Sequence, residues 1–410
     1  MTNPVYRKLF IAQVVALAGT GLATVALGLL AYRLDPARAA GVLGTALAIK
    51  MVAYVFVAPL ATAAVARWSR RSVMVGADLL RVVVAVALPF VGEVWQVYVL
   101  VFVLQAASAT FTPTFQSVIP DVLTEEDDFT AALSLSRLAY DLESVLSPMA
   151  AAALLLFVPS QELFFGTAIG FAGSAALVVS TVLPARPRGA DGGAPESPFS
   201  HRVRHGFVLF VQTPALRPVL ALNLAVAAAG SFVIVQTVVI ARTVFGQGEE
   251  VVAWLLVANG LGSMIGAFGL PGLLRTVPER RLMLGGAALL AVGSLLVPLG
   301  LALAPSGWGI VVVAALWLAI GLGWAAAETP VGRLIRRNTA SGDIGAVFAA
   351  QFSLSHACWL LTYPLAGWLG TAGGLAPAAL TLAGLATAST LLAARLWPSP
   401  DPVLDPVGAR

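Results

Sequence analysis

The chain is poor in cysteine and in charge, and each shortage excludes a class of protein. Its 410 residues include one cysteine, Cys358, which excludes internal disulfide bonds and a cysteine-rich metal cage. Charged residues make up 11% of the chain, whereas soluble domains carry about 25%. Because 59% of the residues are hydrophobic, a soluble fold around a single core is excluded as well.

The motifs that would indicate an enzyme, an ATP-driven pump or a nucleic-acid-binding protein are also missing. The sequence has no Ser/His/Asp arrangement, HExxH motif or phosphate-cradling loop. Its basic residues form no stripe interleaved with aromatic residues. The acidic cluster at 125–128 lacks the second, facing cluster that a magnesium–diphosphate site requires. We therefore expect neither an enzyme nor a nucleic-acid-binding protein, and we expect no cofactor.

What the chain has in abundance is long apolar runs. A helix needs about 20 apolar residues to cross a hydrocarbon core of about 30 Å, and in lipid the backbone must satisfy its own hydrogen bonds. The sequence thus predicts an all-α polytopic membrane protein with twelve transmembrane helices in two six-helix bundles. The predicted spans are residues 9–31, 41–66, 73–91, 95–118, 131–157, 163–183, 219–241, 251–274, 282–303, 308–331, 344–369 and 375–394.

The polar segments divide the chain and predict its orientation. We expect an N-terminal bundle at 1–183, a cytoplasmic linker at 184–213 that ends in a short amphipathic stretch, a C-terminal bundle at 214–397 and a cytoplasmic tail at 398–410. If the N-terminus is cytoplasmic, 18 of the 24 lysine and arginine residues fall in inner loops and tails. This bias predicts a bacterial plasma-membrane protein with both termini in the cytoplasm.

Short matches relate the two halves of the chain to each other. Gln13 in the first span is matched by Asn223 in the seventh, at an offset of 210 residues, and Arg70-Arg71 recurs as Arg280-Arg281 at the same offset. Such matches predict a duplicated six-helix unit. Parallel repeats of this kind are a transporter architecture, in which the substrate binds between the halves near the middle of the membrane.

The loop between the second and third spans carries the best local family match. It reads Pro59-Leu60-Ala61-Thr62-Ala63-Ala64-Val65-Ala66-Arg67-Trp68-Ser69-Arg70-Arg71. This resembles the Pro-Leu-Ala-Gly-x-x-Ala-Asp-Arg-x-Gly-Arg-Arg loop of the major facilitator superfamily, in its drug, siderophore and heavy-metal exporter branch. The basic residues match, whereas Thr62, Ser69 and Ala66 replace the two glycines and the acidic residue.

The resemblance implies a secondary transporter that works as a monomer, exports a small molecule by alternating access and takes up protons in exchange. It also implies gating by the basic loop and the start of the third span. The residues in this role are Arg67, Arg70, Arg71, Asp78 and Arg81. Spans one, four, five, seven, ten and eleven would line the central cavity. The polar candidates there are Gln13, Thr20, Thr112, Arg137, Asn223, Gln236, Gln351 and His356.

Three carboxylates inside predicted spans are candidates for proton coupling. Asp141 and Glu143 lie in the fifth span, and Glu328 precedes Thr329-Pro330 in the tenth. Because a charge inside hydrocarbon costs several kcal/mol, each acid needs a partner or a purpose. One alternative is that Asp141 pairs with Arg137, one turn away on the same helix face. Another is that Glu328 pairs with Arg333.

His356 and Cys358 in the eleventh span raise the alternative of a metal substrate. Histidine and cysteine bind soft or borderline metals such as nickel and cobalt, although side chains two residues apart on a helix diverge by about 200°. This stretch is similar to that of heavy-metal exporters of the superfamily. Three functions therefore remain open: a proton-coupled exporter of small molecules, an exporter of divalent metal ions, and a membrane scaffold or sensor that transports nothing.

Overall fold

In a computed structural model the chain is helical. The structure describes residues 3–57, 68–123, 147, 149–151, 153–181, 199–340 and 343–397. We number the helices in chain order: α1 Pro4–Leu34, α2 Ala39–Val52, α3 Arg70–Ala87, α4 Val94–Val122, α5 Glu162–Val179, α6 Phe199–Gln212, α7 Arg217–Val239, α8 Glu249–Leu273, α9 Glu279–Leu295, α10 Val297–Ala302, α11 Trp308–Glu328, α12 Val331–Asn338, α13 Ile344–Gly373 and α14 Leu375–Leu396.

Local sequence signals explain where several of these helices begin. The side chain of Asn3 accepts hydrogen bonds from the first turn of α1, and Pro4 occupies a first-turn position where no N–H is needed. Ser69 caps α3 in the same way. Glu93 and Gln96 form a reciprocal capping box at the start of α4. These caps satisfy N–H groups that would otherwise be left unpaired at helix ends.

Two of the predicted spans are interrupted. The span predicted at 282–303 is split into α9 and α10 at Leu296, two residues before Pro298, because proline has no N–H to donate and clashes with the preceding turn. The span predicted at 308–331 ends as α11 at Glu328, and α12 continues after Thr329-Pro330. Proline does not always break a helix in this chain, since α13 runs through Pro364 without interruption.

Ten helical stretches of the described part are long and apolar enough to cross a membrane. α13, with 30 residues, follows the predicted eleventh span, and most of the predicted fifth span lies outside the described residues. The described residues contain helices and no strands. The helical membrane fold is therefore confirmed, and the structure is consistent with twelve spans.

Consecutive spans alternate in direction, which gives the molecule two sides. We call the end at which α1 begins at Pro4 the terminal side, and the end at which α1 finishes at Leu34 the distal side. Lys8 donates a hydrogen bond to the carbonyl of Ser180 at the terminal side, at 3.3 Å. Arg33 donates to the carbonyl of Pro89 at the distal side, at 3.1 Å. These contacts tie α1 to its neighbours at both ends.

Each half packs as a bundle of its own. In the N-terminal half α1 packs on α5, and α3 packs on α4 and α5; in the C-terminal half α7 packs on α13 and α14, and α9 packs on α11 and α14. α8 and α11 are joined most closely. Asn259 and Ser263 of α8 donate side-chain hydrogen bonds to the carbonyls of Trp317 and Gly321 of α11, both at 3.0 Å.

The segment between the halves includes helix α6, which packs on the beginning of α13. Phe210 is fully buried there. The Nε2 atom of His205 lies 3.0 Å from an oxygen of Asp343, just before α13. The predicted linker therefore contains a helix that is held against the C-terminal half.

Candidate functional site

The two bundles meet along α2 and α13. A Cβ atom added to Gly44 of α2 would lie 2.6 Å from the carbonyl oxygen of Tyr363 and 3.0 Å from the Cα of Gly367 in α13. Only glycine permits so close an approach of the two backbones, which is a common way for membrane helices to pack. The contact joins one helix from each half of the chain.

Side-chain hydrogen bonds connect the same two helices near the distal side. The N–H of Gly41 donates to the hydroxyl of Thr371 at 3.0 Å. The indole N–H of Trp368 donates to the hydroxyl of Thr45 at 3.0 Å. Together with the glycine contact, these residues form what we call the distal seam: Gly41, Gly44, Thr45, Gly367, Trp368 and Thr371.

A second set of polar contacts crosses between the halves at the level of the distal loops. The N–H and hydroxyl of Ser160, before α5, donate to the two carboxylate oxygens of Glu249, at 3.2 and 2.9 Å. The guanidinium of Arg242 lies 4.0 Å from Glu249 and 5.7 Å from the ring centroid of Tyr32 in α1. The halves are thus joined by charge and hydrogen bonding as well as by backbone packing.

The predicted cavity residues of the C-terminal half lie between α7 and α13. The side-chain amides of Asn223 and Gln351 exchange two hydrogen bonds, at 3.2 and 3.1 Å. Gln236 donates to the carbonyl of Ala366 at 2.7 Å. The three side chains are at most 3% exposed, so in this state their described hydrogen bonds hold the C-terminal bundle together.

The predicted cavity residues of the N-terminal half are spread over α1 and α4. Gln13 and Thr20 are buried, and the Thr20 hydroxyl donates to the carbonyl of Ala16 at 3.1 Å. Thr112 is half-buried on α4. Gln13 is buried at the position that corresponds to Asn223 in the sequence repeat.

His356 lies where α13 faces α2. Its ring centroid is 5.7 Å from that of Tyr54 and 3.9 Å from that of Phe352. The Nδ1 atom lies 2.7 Å from the carbonyl oxygen of Phe352, one turn earlier, so a proton at Nδ1 is donated back to the helix. Cys358 is buried. Among the residues that the structure describes, no group of three or more His, Cys, Asp or Glu side chains is arranged to hold a metal ion.

Glu328 is the proton-coupling candidate that the structure describes. It is half-buried at the last residue of α11, and its carboxyl group is close enough to Cys358 of α13 to interact with the thiol electrostatically. Arg333, the partner that the sequence offered for Glu328, lies 3.2 Å from Glu279 instead.

Of the gating candidates, Asp78 and Arg81 form a buried ion pair inside the N-terminal bundle. The guanidinium of Arg81 is sandwiched between the rings of Phe111 and Phe171, at 4.6 and 4.4 Å from their centroids. All of these contacts belong to one half. Near the terminal side, Arg71 donates to the carbonyl of Val179, and Arg70 is half-buried.

Four candidate residues lie outside the part of the chain that the structure describes: Arg67, Arg137, Asp141 and Glu143. Their predicted roles in gating, substrate binding and proton coupling stay predictions.

Sequence reasoning missed the residues that join the two halves. Gly41-x-x-Gly44 and Gly367-x-x-Gly370 are spaced as small residues on one helix face, a pattern typical of close helix packing in membranes. That pattern could have indicated the distal seam. The contact of Ser160 with Glu249 had no comparable signal, because it joins residues 89 positions apart.

Helical bundles that meet along membrane-spanning helices are typical of multi-pass membrane transporters rather than of enzymes. Residues 9–361 match the model of the Major Facilitator Superfamily. The match covers most of the chain, which therefore belongs to this superfamily. An uncharacterised MFS-type transporter of Bacillus subtilis, YfiS, is 23% identical over 317 residues, which cover 75% of this chain and 71% of that protein.

Solved structures share the fold at low sequence identity. The nucleoside transporter NupG has a TM-score of 0.69 at 13% identity and covers 97% of this chain and 100% of its own. A bacterial homologue of the human lysosomal transporter Spinster, in an inward-facing and unoccupied conformation, has a TM-score of 0.69 at 15% identity, over 98% and 100% of the two chains. A D-xylose–proton symporter has a TM-score of 0.67 at 13% identity, over 97% and 98%.

Proposed function

We propose that this protein exports a small molecule across the bacterial plasma membrane in exchange for protons. It would work as a monomer whose two bundles rock about a central site. The distal seam is the observation that carries this proposal. It holds the halves together through backbone contact and a few hydrogen bonds, and contacts of this kind can be broken and remade in every transport cycle.

The orientation of the chain follows from its basic residues. Because most lysines and arginines fall on the side of the chain termini, the positive-inside rule places the terminal side in the cytoplasm. In this proposal the distal seam closes the outer side, so that the state described would face inward. The Spinster homologue, which has the same fold, was solved in a conformation described with the same term.

Proton coupling is supported by the position of Glu328. Glu328 is a half-buried carboxyl group at the end of a membrane-spanning helix, and an ionisable group inside a membrane protein is a candidate for carrying protons. Its protonation state would therefore respond to which side of the membrane the cleft faces. Asp141 and Glu143 of the fifth span are proposed for the same role, from the sequence and the family resemblance alone.

The direction of transport is inferred from the resemblance of the loop that contains Arg67, Arg70 and Arg71 to the drug, siderophore and heavy-metal exporter branch. An exporter of this branch protects the cell from its substrate. Growth of a deletion strain on panels of drugs and metals would therefore reveal the substrate as a loss of tolerance.

The test combines growth with proton flux. Purified protein in proteoliposomes is expected to dissipate a pH gradient when a compound from the growth panel is added, and Glu328→Gln is expected to abolish this flux. Glu250→Gln, an exposed acid near the distal side, is the matched control and is expected to behave as wild type.

Two outcomes would replace the proposal. If His356→Ala lowers nickel or cobalt tolerance and leaves drug tolerance intact, the protein exports metal ions. If no compound produces flux, and Asp141→Asn, Glu143→Gln and Glu328→Gln are all silent in growth, the protein is a scaffold or sensor.

A further inference from the structure

One face of α13 carries a row of aromatic side chains. Phe352, His356, Trp359 and Tyr363 follow one another at steps of four, three and four residues, which places them on the same side of the helix. The rings are in contact, with centroids 3.9 Å apart for Phe352 and His356 and 4.9 Å apart for Trp359 and Tyr363. Toward the distal side the row continues into Gly367 of the distal seam, which contacts α2 of the N-terminal half.

Aromatic residues from two other helices complete the row. The ring of Trp324 in α11 lies 5.2 Å from that of Trp359. The ring of Tyr54, in the π-helical turn Ala53–Val57 that continues α2, lies 5.7 Å from that of His356. Three helices, from both halves of the protein, thus contribute to what we call the aromatic cluster: Tyr54, Trp324, Phe352, His356, Trp359 and Tyr363.

Gly230 of α7 provides the floor on which the two indole rings rest. A Cβ atom at Gly230 would lie 2.5 Å from Cη2 of Trp359 and 3.0 Å from Cζ3 of Trp324. The absence of a side chain on α7 therefore lets the two rings reach across from α13 and α11 and meet. This is a close approach that any larger residue would prevent.

The indole pair lies near the middle of the membrane. At 1.5 Å per residue, Trp359 is about 21 Å along α13 from its distal end, and Trp324 is about 24 Å along α11 from its distal end. Both rings are partly exposed. Trp317, one helix face away on α11, is fully buried and donates to Thr237 at 2.8 Å. The indole pair thus differs from a tryptophan that only fills the core.

Charge lies on both sides of the aromatic cluster. Glu328 is one turn after Trp324 on the same face of α11 and reaches toward α13, where it acts on Cys358. Lys50 is one turn before Tyr54 on α2, and it makes an interaction of its own. The acid is thus one helical turn from the indole pair on α11, whereas the lysine belongs to the other half of the chain.

We propose that the indole pair of Trp324 and Trp359 binds the transported compound, and that this compound is an organic cation with flat, apolar substituents. Indole faces attract a cation through their quadrupole and bury apolar surface at the same time, and a carboxylate at the edge adds direct attraction. That the bound compound is also transported rests on the proposed function, whereas the binding itself does not.

The test uses two probes of nearly equal shape and opposite charge. Equilibrium dialysis of the purified protein is expected to show saturable binding of tetraphenylphosphonium, and binding of tetraphenylborate at least tenfold weaker. Trp359→Leu and Trp324→Leu are each expected to weaken binding of the cation by about five- to thirtyfold, as for partly desolvated cation–π contacts. Trp254→Leu, a 59% exposed indole on α8, is the matched control and is expected to change nothing.

A further variant guards against loss of the fold. Gly230→Ala keeps both indole rings and pushes them apart, so the cation is expected to bind more weakly. Gly384→Ala, where an added Cβ meets nothing within 4 Å, is expected to bind normally.

The proposal is overturned if tetraphenylborate binds as well as tetraphenylphosphonium, if the cation does not bind, or if the indole variants bind it like wild type. Loss of proton-coupled flux with cation binding intact would refute the transport function and leave the site standing. Proton-coupled flux of an anionic or neutral compound, without cation binding, would refute the site alone.

Discussion

Gly41 and Thr371 face each other across the distal seam at a spacing that suits a disulfide bond. A Cβ atom added to Gly41 would lie 3.8 Å from the Cβ of Thr371, and the mean separation in disulfides is about 3.8 Å. Such a bond holds the two Cα atoms within about 6.8 Å. In the doubly substituted protein, Gly41→Cys with Thr371→Cys, α2 and α13 could not part at their distal ends.

Because the proposed cycle requires this separation, oxidation of the double variant is expected to reduce substrate-driven proton flux to the level of protein-free vesicles. Reduction of the disulfide is expected to restore it. The assay needs one background change, Cys358→Ser, since Cys358 is the single cysteine of the chain. No non-covalent contact in the seam could have this effect, because hydrogen bonds contribute only about 0.5–1.5 kcal/mol each.

The control pair lies on the same side of the molecule but within one bundle. A Cβ atom added to Gly373 would lie 3.8 Å from the Cβ of Pro377, and both residues belong to the C-terminal half. Oxidised Gly373→Cys with Pro377→Cys is expected to transport normally. The reasoning would be refuted if the cross-linked seam variant, shown by mass spectrometry to be fully oxidised, transported at the rate of its reduced form.

Further predictions concern the packing of the halves. Gly44→Val should disfavour the distal-closed state by about 1–3 kcal/mol through overpacking. An impermeant reagent should therefore label a cysteine introduced into the distal seam about 5- to 150-fold faster. Gly76→Ala, with open space around it, is the control and should leave the labelling rate unchanged. Asn223→Ala should lower thermal stability by about 1–3 kcal/mol, because it leaves Gln351 unpaired. Leucine at both positions should recover part of that loss, and equal melting temperatures for the two variants would contradict this account. Asp78→Asn should cost about 3–5 kcal/mol in a denaturation assay, because it removes the carboxylate that pairs with a buried arginine; a wild-type midpoint would show that the pair does not contribute to stability.

The helices themselves could be predicted because a bilayer leaves few choices. An apolar run of about 20 residues must be helical and must cross, so the predicted spans agree with α1, α3 and α7 to within a few residues at most ends. Their breaks were harder to predict. A helix ends just before Pro298, whereas Pro364 lies within one, although both prolines stand in apolar runs of the sequence.

The candidate site could be predicted only in part. Polarity inside an apolar run singled out Asn223, Gln236 and Gln351. The structure pairs Asn223 with Gln351 between α7 and α13, whereas Gln236 lies about 20 Å farther along α7 and bonds to Ala366 of α13. The polarity of these residues does not indicate that their hydrogen bonds are made within the bundle. Trp324 and Trp359 could not be singled out in this way, because an indole side chain in an apolar run does not differ in polarity from its neighbours.

The two side-chain hydrogen bonds from α8 to the backbone of α11 have a mechanical consequence. Helices fastened at successive turns resist sliding past each other, so any displacement of one must carry the other along. α8 and α11 would then move as one unit, so that a displacement of α11 near Glu328 would also displace α8, whose distal end carries Glu249.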